Sequence, residues 1–562
     1  MPVFDLYTNK SINLITLDRC IIIGTLCDLD QTIKLILVDS QKRVFFATES
    51  EIDEELNKNI DFSRIRVDPL QMLLNTTPKI LISIIIFRLI SWIIVRTYFI
   101  ADEYWQTFEI AHSLAFGYGY KTWEWKSNIA IRSYLYPFII SLIYRFLALF
   151  HLDTVTILVN SATLFQTLLA IIGDLAYLKF LQGHKLIFLI LLCRFTCWYT
   201  MYSSPRLIIN NLEEILFICS LAVAKNYRSS SNITFHLFVS LSFIIRPTTA
   251  IPFVIIYPYL LYKTSNRLKF LFQAFICFIL LNILNILLDS YMYNHWTFVP
   301  LNFLYINFFH PNSISSHYGI NNILWYLTNG LPMIFFYRLP FIFIGSISNK
   351  RLTIIILFTI FIYTLNKHKE FRFLTQILPI LFILEAHGMD WCLKKLKWNK
   401  FRWIIFLSFI GHLCIGFYFS FIDRQGQISI MHYLRRNLIN NNNNKESFSI
   451  DFLMPCHSTP YYNFIHRNDI QLNFLTCEPN LDNITNDYID EADQFFLKPI
   501  ESLKKRLNNS NASHLVMFDV LYNQVQDVFE EDQWFFVKDI LFNSHIQHTS
   551  RHGKMIYILE RR

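Results

Sequence analysis

The sequence predicts a polytopic α-helical membrane protein that carries a small α/β domain at its C-terminal end. Three observations predict it. Of the 562 residues 53% are hydrophobic, only 16% are charged and the mean hydropathy is +0.33, which is too apolar for a soluble protein of this size. Apolar runs near the roughly 20 residues needed to cross a bilayer recur between Lys79 and Ile422. From about residue 425 the text becomes mixed, and strand-like stretches (LNFLTC, HLVMFDVL, KMIYILE) alternate with polar helical ones.

In chain order, residues 1–74 are soluble in character, 79–422 form the membrane zone and 425–562 form the C-terminal zone. The predicted spans are 79–99, 133–150, 156–178, 186–201, 207–224, 233–262 (two short helices around Pro247), 268–288, 330–346, 352–366, 371–391 and 401–421. That corresponds to about ten to twelve helices. The N-terminus has no basic, apolar, small-residue leader pattern, so the first span is expected to serve as an uncleaved targeting element. Arg64, Arg66 and Lys79 precede it and Asp102, Glu103 and Glu109 follow it, which puts the N-terminus in the cytosol and residues 101–125 on the far side. Simple alternation then puts Lys179, His184 and Lys185 on the far side too, against the same rule.

Several constellations carry chemistry. In ADEYWQTFEIAHSLAFGYGYKTWEW (101–125), Trp105, Phe108, Ala111 and Ala115 recur at helical spacing opposite Gln106, Glu109 and Ser113, the pattern of an amphipathic helix lying in the membrane interface. Asp102 and Glu103 fall at its start, where an acid is either functional or a helix cap. Arg206, Asn210 and Glu213 share one helical face, Arg246 and Pro247 interrupt an apolar run, and HKEFRF (368–373) packs ionisable groups onto a hinge between spans. Together they outline a polar site inside an apolar bundle. Tyr104, Trp105, Trp123 and Trp125 are candidates to stack on sugar rings or, preferably, to anchor at the interface.

Composition excludes some classes and leaves others open. The net charge of +8 is spread thinly, without the basic stripe of a nucleic-acid binder. The ten Cys include no CxxC metal knuckle, and no metal site is expected. Cys456 and Cys477, the pair in the C-terminal zone, are a disulfide candidate if that zone lies in an oxidising lumen. Sequons at Asn483, Asn508 and Asn511 would be glycosylated only in the same case, and the Asn440–Asn444 run reads as a solvated loop. A transporter would need the same buried charges but would more often show internal repeats, and none is found.

Two resemblances sharpen this reading. ADEYWQ, FGYGYKTWEW, IRSYLYP, RLIINNLE, IRPT, DSYMY, PLNFL, NGLP, HKEFRF and FLMPCHSTPYY occur in the order found in the dolichyl-phosphate-mannose-dependent mannosyltransferases of glycosyltransferase family 22, from about residue 85 to the end. The resemblance implies a GT-C fold in the endoplasmic reticulum membrane, no cofactor, and a catalytic acid in the first luminal loop. It also implies transfer of mannose from dolichyl phosphate mannose, with inversion, to the third-mannose position of the GPI-anchor precursor through an α-1,2 link. The alternatives within the family are transfer to the N-glycan lipid precursor or of a fourth GPI mannose. It places the first-loop acid at Asp102, preferred over Glu103 as the base, and leaves His368, Lys369 and Arg372, then Arg206 and Arg246, as cations for the leaving phosphate, with Glu213 and Asn210 beside them. Where relatives carry His-Pro-Trp-His, this chain has Asn321 to Leu324. The second resemblance is of residues 3–49 to the first Sm motif, and of EIDEELNKNIDFSRIRVDPL to the tail, of a U6-associated Sm-like protein. The second Sm motif is missing and Lys34 stands where an RNA-contacting Asn is usual, so this zone is expected to be a fusion or gene-model join, without RNA binding.

Overall fold

In a bilayer every backbone N–H and C=O must be satisfied within its own segment, so apolar stretches become helices. The computed structural model describes four strands between residues 13 and 47 and residues 69–562, apart from 226–232, 310–318, 396–398, 440–447, 481–487 and 533; side chains are described from Pro78 onward. It divides into two units, Met1–Ile84 and Ile85–Arg562. In the first unit, β1 (Asn13–Leu17), β2 (Cys20–Thr25), β3 (Lys34–Val38) and β4 (Val44–Ala47) form an antiparallel meander in that order. The residues that carry the Sm-like resemblance fall largely outside those described, as do Asn440–Asn444 and Asn483.

In the second unit each predicted apolar stretch is helical, and the stretch around Pro247 is two helices, Ile233–Ile245 and Ala250–Lys263. Val155–Leu181, Arg267–Tyr293, Tyr326–Ser348, Phe371–Lys395 and Phe401–Arg436 are each long and apolar enough to cross a membrane. Along Arg267–Tyr293 the side chains Phe272, Phe275, Ile283 and Leu287 are exposed, as a lipid-facing surface requires. Where Leu339–Ser348 crosses Phe371–Lys395, a Cβ on Gly345 would stand 1.8 Å from the Leu384 carbonyl oxygen and one on Gly388 1.9 Å from that of Phe341, so only glycine permits this approach.

One predicted span does not cross. Helix Leu135–Leu149 begins where the Tyr134 N–H donates to Asp289 Oδ1 (2.8 Å) and nears its end where Arg145 donates to the Leu114 carbonyl (2.6 Å). Just beyond it Asp153 pairs with His466 of the C-terminal domain (3.7 Å). Both ends therefore lie on the side that holds Asp102. With this crossing removed, Lys179, His184 and Lys185 move to the opposite side, where Lys225 Nζ donates to the carbonyls of Phe180 (2.9 Å) and Gln182, and His184 packs on His387 (5.2 Å). On that placement these basic residues agree with the charge rule.

The C-terminal domain is a mixed five-stranded sheet of β5 (Ser449–Leu453), β6 (Gln471–Phe474), β7 (His514–Phe518), β8 (Phe535–Phe542) and β9 (Met555–Arg561), ordered β6-β5-β7-β9-β8. β5 is parallel to β6 and β7, whereas β9 is antiparallel to β7 and β8. The predicted strand texts fall in β6, β7 and β9. Period-two alternation splits their apolar residues between two cores. Leu515 and Met517 pack on the domain's own helices with Leu503 and Val525, while Ile450, Phe452, Val516, Phe518 and Ile558 share a core with Tyr104, Trp105 and Phe108 of the first loop.

Candidate active site

The first loop leaves the bundle as a π-helical turn, Asp102–Phe108, that runs into helix Glu109–Phe116 and stops at Gly117 (φ 84°), a left-handed position that glycine adopts freely. This helix is not laid on lipid. Glu109, Ile110, Ala111 and His112 are all buried, because the C-terminal domain covers the face that was expected to meet water. Trp105 Nε1 donates to the Thr459 carbonyl (2.9 Å), and Glu109 accepts from the N–H groups of Tyr120 (2.9 Å) and Asn463 (3.0 Å). Burial pushes Glu109 up to about 7 despite those two donors.

Adjacent helical residues point in different directions, and here the difference separates the two acids. Asp102, Trp105 and Gln106 share one face and line a cavity of about 340 Å³. Glu103 points the other way, into the bundle, where Arg206 holds it at 2.9 Å while also donating to the Thr97 carbonyl (2.7 Å) and lying over the Tyr202 ring (4.2 Å). Glu103 and Arg206 are not among the residues that line this cavity; they form a buried ion pair behind it. Burial raises the Glu103 carboxyl against the pull of Arg206.

The cavity wall facing Asp102 comes from HKEFRF. Arg372 donates from Nη1 to Asp102 Oδ2 (2.5 Å), and from Nε (2.6 Å) and Nη2 (2.7 Å) to Glu370. His368 Nε2 meets Glu370 Oε1 at 2.9 Å. Burial raises the Asp102 carboxyl, but Arg372 and Arg132 more than reverse this and keep it below its ordinary value. Glu370 is half-buried; desolvation raises its carboxyl too, but Arg372 and His368 pull it far down. Lys369 does not join them: its Nζ turns to the Asn321 carbonyl (3.1 Å), and Asn321 Nδ2 returns a bond to the Lys369 carbonyl (3.2 Å). Its place is structural, in the loop where the His-Pro-Trp-His stretch of relatives is replaced.

On a second side, Arg246 and Glu213 line the cavity with Tyr326, and Asn210 stands behind, donating to Glu213 Oε2 (2.7 Å). Asn210 holds Glu213 in place and does not face the cavity. Trp123 lines it as well, but Tyr104 and Trp125 do not. Tyr104, Trp105, Trp123 and Trp125 are all at most 5% exposed, so none anchors at a lipid interface. That place belongs to the exposed Tyr291 and Trp296 on the Asp102 side and to Tyr259 and Tyr262 opposite.

Cys456 and Cys477 form a disulfide that lines the same cavity, as does His457, whose imidazole burial pushes down to about 4. Sequence reasoning missed a further pair: Glu124 accepts from Arg132 (2.6 Å) and Gln106 (2.9 Å) on the cavity wall. TWEW and IRSYLYP carry both residues, but no spacing rule links positions in a loop that folds back on itself.

The sequence profile of the Alg9-like mannosyltransferase family matches residues 79–466. The chain belongs to this family. It is 32% identical over 507 residues to GPI alpha-1,2-mannosyltransferase 3 of Homo sapiens, covering 87% of this chain and 88% of that protein. With GPI alpha-1,2-mannosyltransferase 3 of Danio rerio it shares 33% over 500 residues, 86% of this chain and 90% of that protein. Among solved structures, ArnT from Cupriavidus metallidurans bound to undecaprenyl phosphate superposes with a TM-score of 0.53 at 10% identity, covering 86% of this chain and 98% of that one. At that identity the likeness shows the fold alone, a GT-C membrane glycosyltransferase built on many helices.

Proposed function

We propose that this family member transfers mannose from dolichyl phosphate mannose to the GPI-anchor precursor, adding the third mannose through an α-1,2 link with inversion. One observation carries the reading. Asp102 and Arg372, 270 residues apart in sequence, meet at 2.5 Å on the wall of one cavity, which supports reading them as the base for a hydroxyl proton and the cation for a leaving phosphate. The relatives named above support the choice of acceptor.

The phosphate leaves as a stable anion, so no general acid is needed. Asp102 takes the acceptor hydroxyl proton, a contribution typically worth about 10²–10⁴-fold. Before substrate binds, Arg372 is shared between Asp102 and Glu370. A phosphate that draws the Arg372 guanidinium toward itself releases the Asp102 oxygen for the hydroxyl, and the same cation stabilises the charge that grows on the leaving group. Among the described residues, the cavity carboxylates Asp102, Glu124 and Glu370 are each held by an arginine. Activity is expected to be independent of added divalent ions, and loss of transfer in chelator, restored by a metal, overturns this.

The disulfide supports placing the C-terminal domain and Asp102 in the lumen of the endoplasmic reticulum, and Lys179, Lys185, Lys225 and Lys394, gathered on the opposite side, support a cytosolic face there. Complementation of cells lacking the third-mannose transferase tests the reading. Wild type is expected to restore the anchor and Asp102→Asn is not. A well-expressed wild type that fails overturns the acceptor, and full rescue by Asp102→Asn overturns the base.

A further inference from the structure

The Arg246 side of the cavity differs in kind from the Arg372 side. Glu213, on helix Ile209–Ala224, has a side chain 3% exposed; its Oε2 accepts from Asn210 (2.7 Å) and, at 3.5 Å, from Arg246, while Oε1 has no partner among the described residues. Arg246 lies over the Phe373 ring (4.7 Å) with its Nε unpartnered. Tyr326 is 1% exposed; its hydroxyl faces the Glu370 backbone N–H, and its own proton has no acceptor among the described residues. A buried polar atom without a partner is costly, so several converging on one cavity are unfavourable unless a ligand satisfies them.

We infer that Glu213, Arg246 and Tyr326 form the subsite that reads the hydroxyls of the transferred sugar; this rests on the proposed function. Glu213 and Arg246, 3.5 Å apart, leave this side of the cavity without net charge. A pyranose fits there. Neighbouring hydroxyls both donate and accept, matching one free carboxylate oxygen, one guanidinium N–H and one phenol O–H, and Phe373 offers an apolar wall to ring C–H groups. The donor's single sugar is favoured over the acceptor because Glu213, Arg246 and Tyr326 all belong to bundle helices and their ends, a compact wall suited to one sugar. The wall made by Trp105, His457 and the disulfide belongs instead to the first loop and the C-terminal domain, and suits the longer glycan of the acceptor glycolipid.

The test is donor binding to the purified full chain, which needs no acceptor. Tyr326→Phe is expected to weaken dolichyl phosphate mannose about 3- to 10-fold. One of the 2-, 4- and 6-deoxymannosyl donors should bind wild type as weakly as the natural donor binds Tyr326→Phe, and lose nothing more on that variant. Donor affinity unchanged in Tyr326→Phe, or losses that multiply with every deoxy donor, overturns the inference. A raised acceptor KM with unchanged donor affinity also overturns it and gives the subsite to the acceptor. Failure of wild type to glycosylate the GPI precursor strikes the acceptor assignment alone, since donor binding is read separately.

Discussion

Asp102 and Glu103 are neighbours of the same chemistry, and what separates them lies elsewhere in the chain. Arg372 faces one and Arg206 the other. Their variants should therefore fail differently. Asp102→Asn is expected to lower kcat by about 10²-fold or more with little change in Tm, because it removes a base at the edge of a cavity. Glu103→Gln leaves Arg206 buried without its counter-charge, and breaking such a pair costs about 3–5 kcal/mol. It should lower Tm sharply, with kcat per folded molecule retained; the reverse pattern, measured on purified protein, overturns the assignment. The Asp102 carboxyl is held below its ordinary value, so what its ion pair adds to stability is present above the unfolded carboxylate value and is lost as pH falls through the lower folded one. Activity should likewise persist below the usual carboxylate range as pH is lowered. The sequence offered both acids and the HKEFRF cations, but the choice between neighbours depended on contacts 103 and 270 residues away.

At the level of the element, hydropathy found the helices and misjudged what one of them does. Leu135–Leu149 is apolar because the first loop and neighbouring helices bury one side of it, and periodicity cannot tell that burial from lipid. Its placement predicts accessibility. Cysteines introduced at the exposed Asn128 and Leu152 should react with a membrane-impermeant maleimide from one side, and one at Lys185 only from the other. Labelling of the first two from opposite sides restores the crossing and defeats the topology. The Gly345 and Gly388 crossing was equally silent in sequence, since isolated glycines in apolar text carry no spacing signal. Gly388→Ala should destabilise the bundle by about 1–3 kcal/mol or more, and an unchanged Tm in detergent would contradict the close approach. Helix Glu109–Phe116 makes a pH-dependent contribution. The Glu109 carboxyl rises to about 7 on burial, so folding takes up a proton and the stability it contributes falls as pH rises from the unfolded carboxylate value through about 7. Glu109→Gln should flatten Tm against pH across that window, and an unaltered slope would remove Glu109 as its source.

For the Ile85–Arg562 unit as a whole, the question is why a membrane enzyme needs its C-terminal sheet. The sheet's alternating residues share one apolar core with the first loop, so the domain presses on the turn that presents Asp102. Besides the Trp105 and Glu109 contacts, Tyr98 donates to the His457 carbonyl and Lys126 pairs with Glu478 (2.5 Å). The Cys456–Cys477 bond closes the segment that makes these contacts, across 21 residues, and itself lines the cavity. The sequence suggested the pair of cysteines but not their position, because a cavity wall shared by a loop and a distant domain leaves no periodic trace. A loop of that length should stabilise the fold by about 3 kcal/mol. The double variant Cys456→Ser, Cys477→Ser is therefore expected to lose Tm and, since the wall belongs to the acceptor's side, to raise acceptor KM while donor affinity holds. Reductant should reproduce both changes in wild type and do nothing further to the variant. If mass spectrometry shows the bond opened and acceptor KM does not move, or if donor affinity falls instead, the domain is not a wall of the acceptor site and its contact with the first loop serves folding alone.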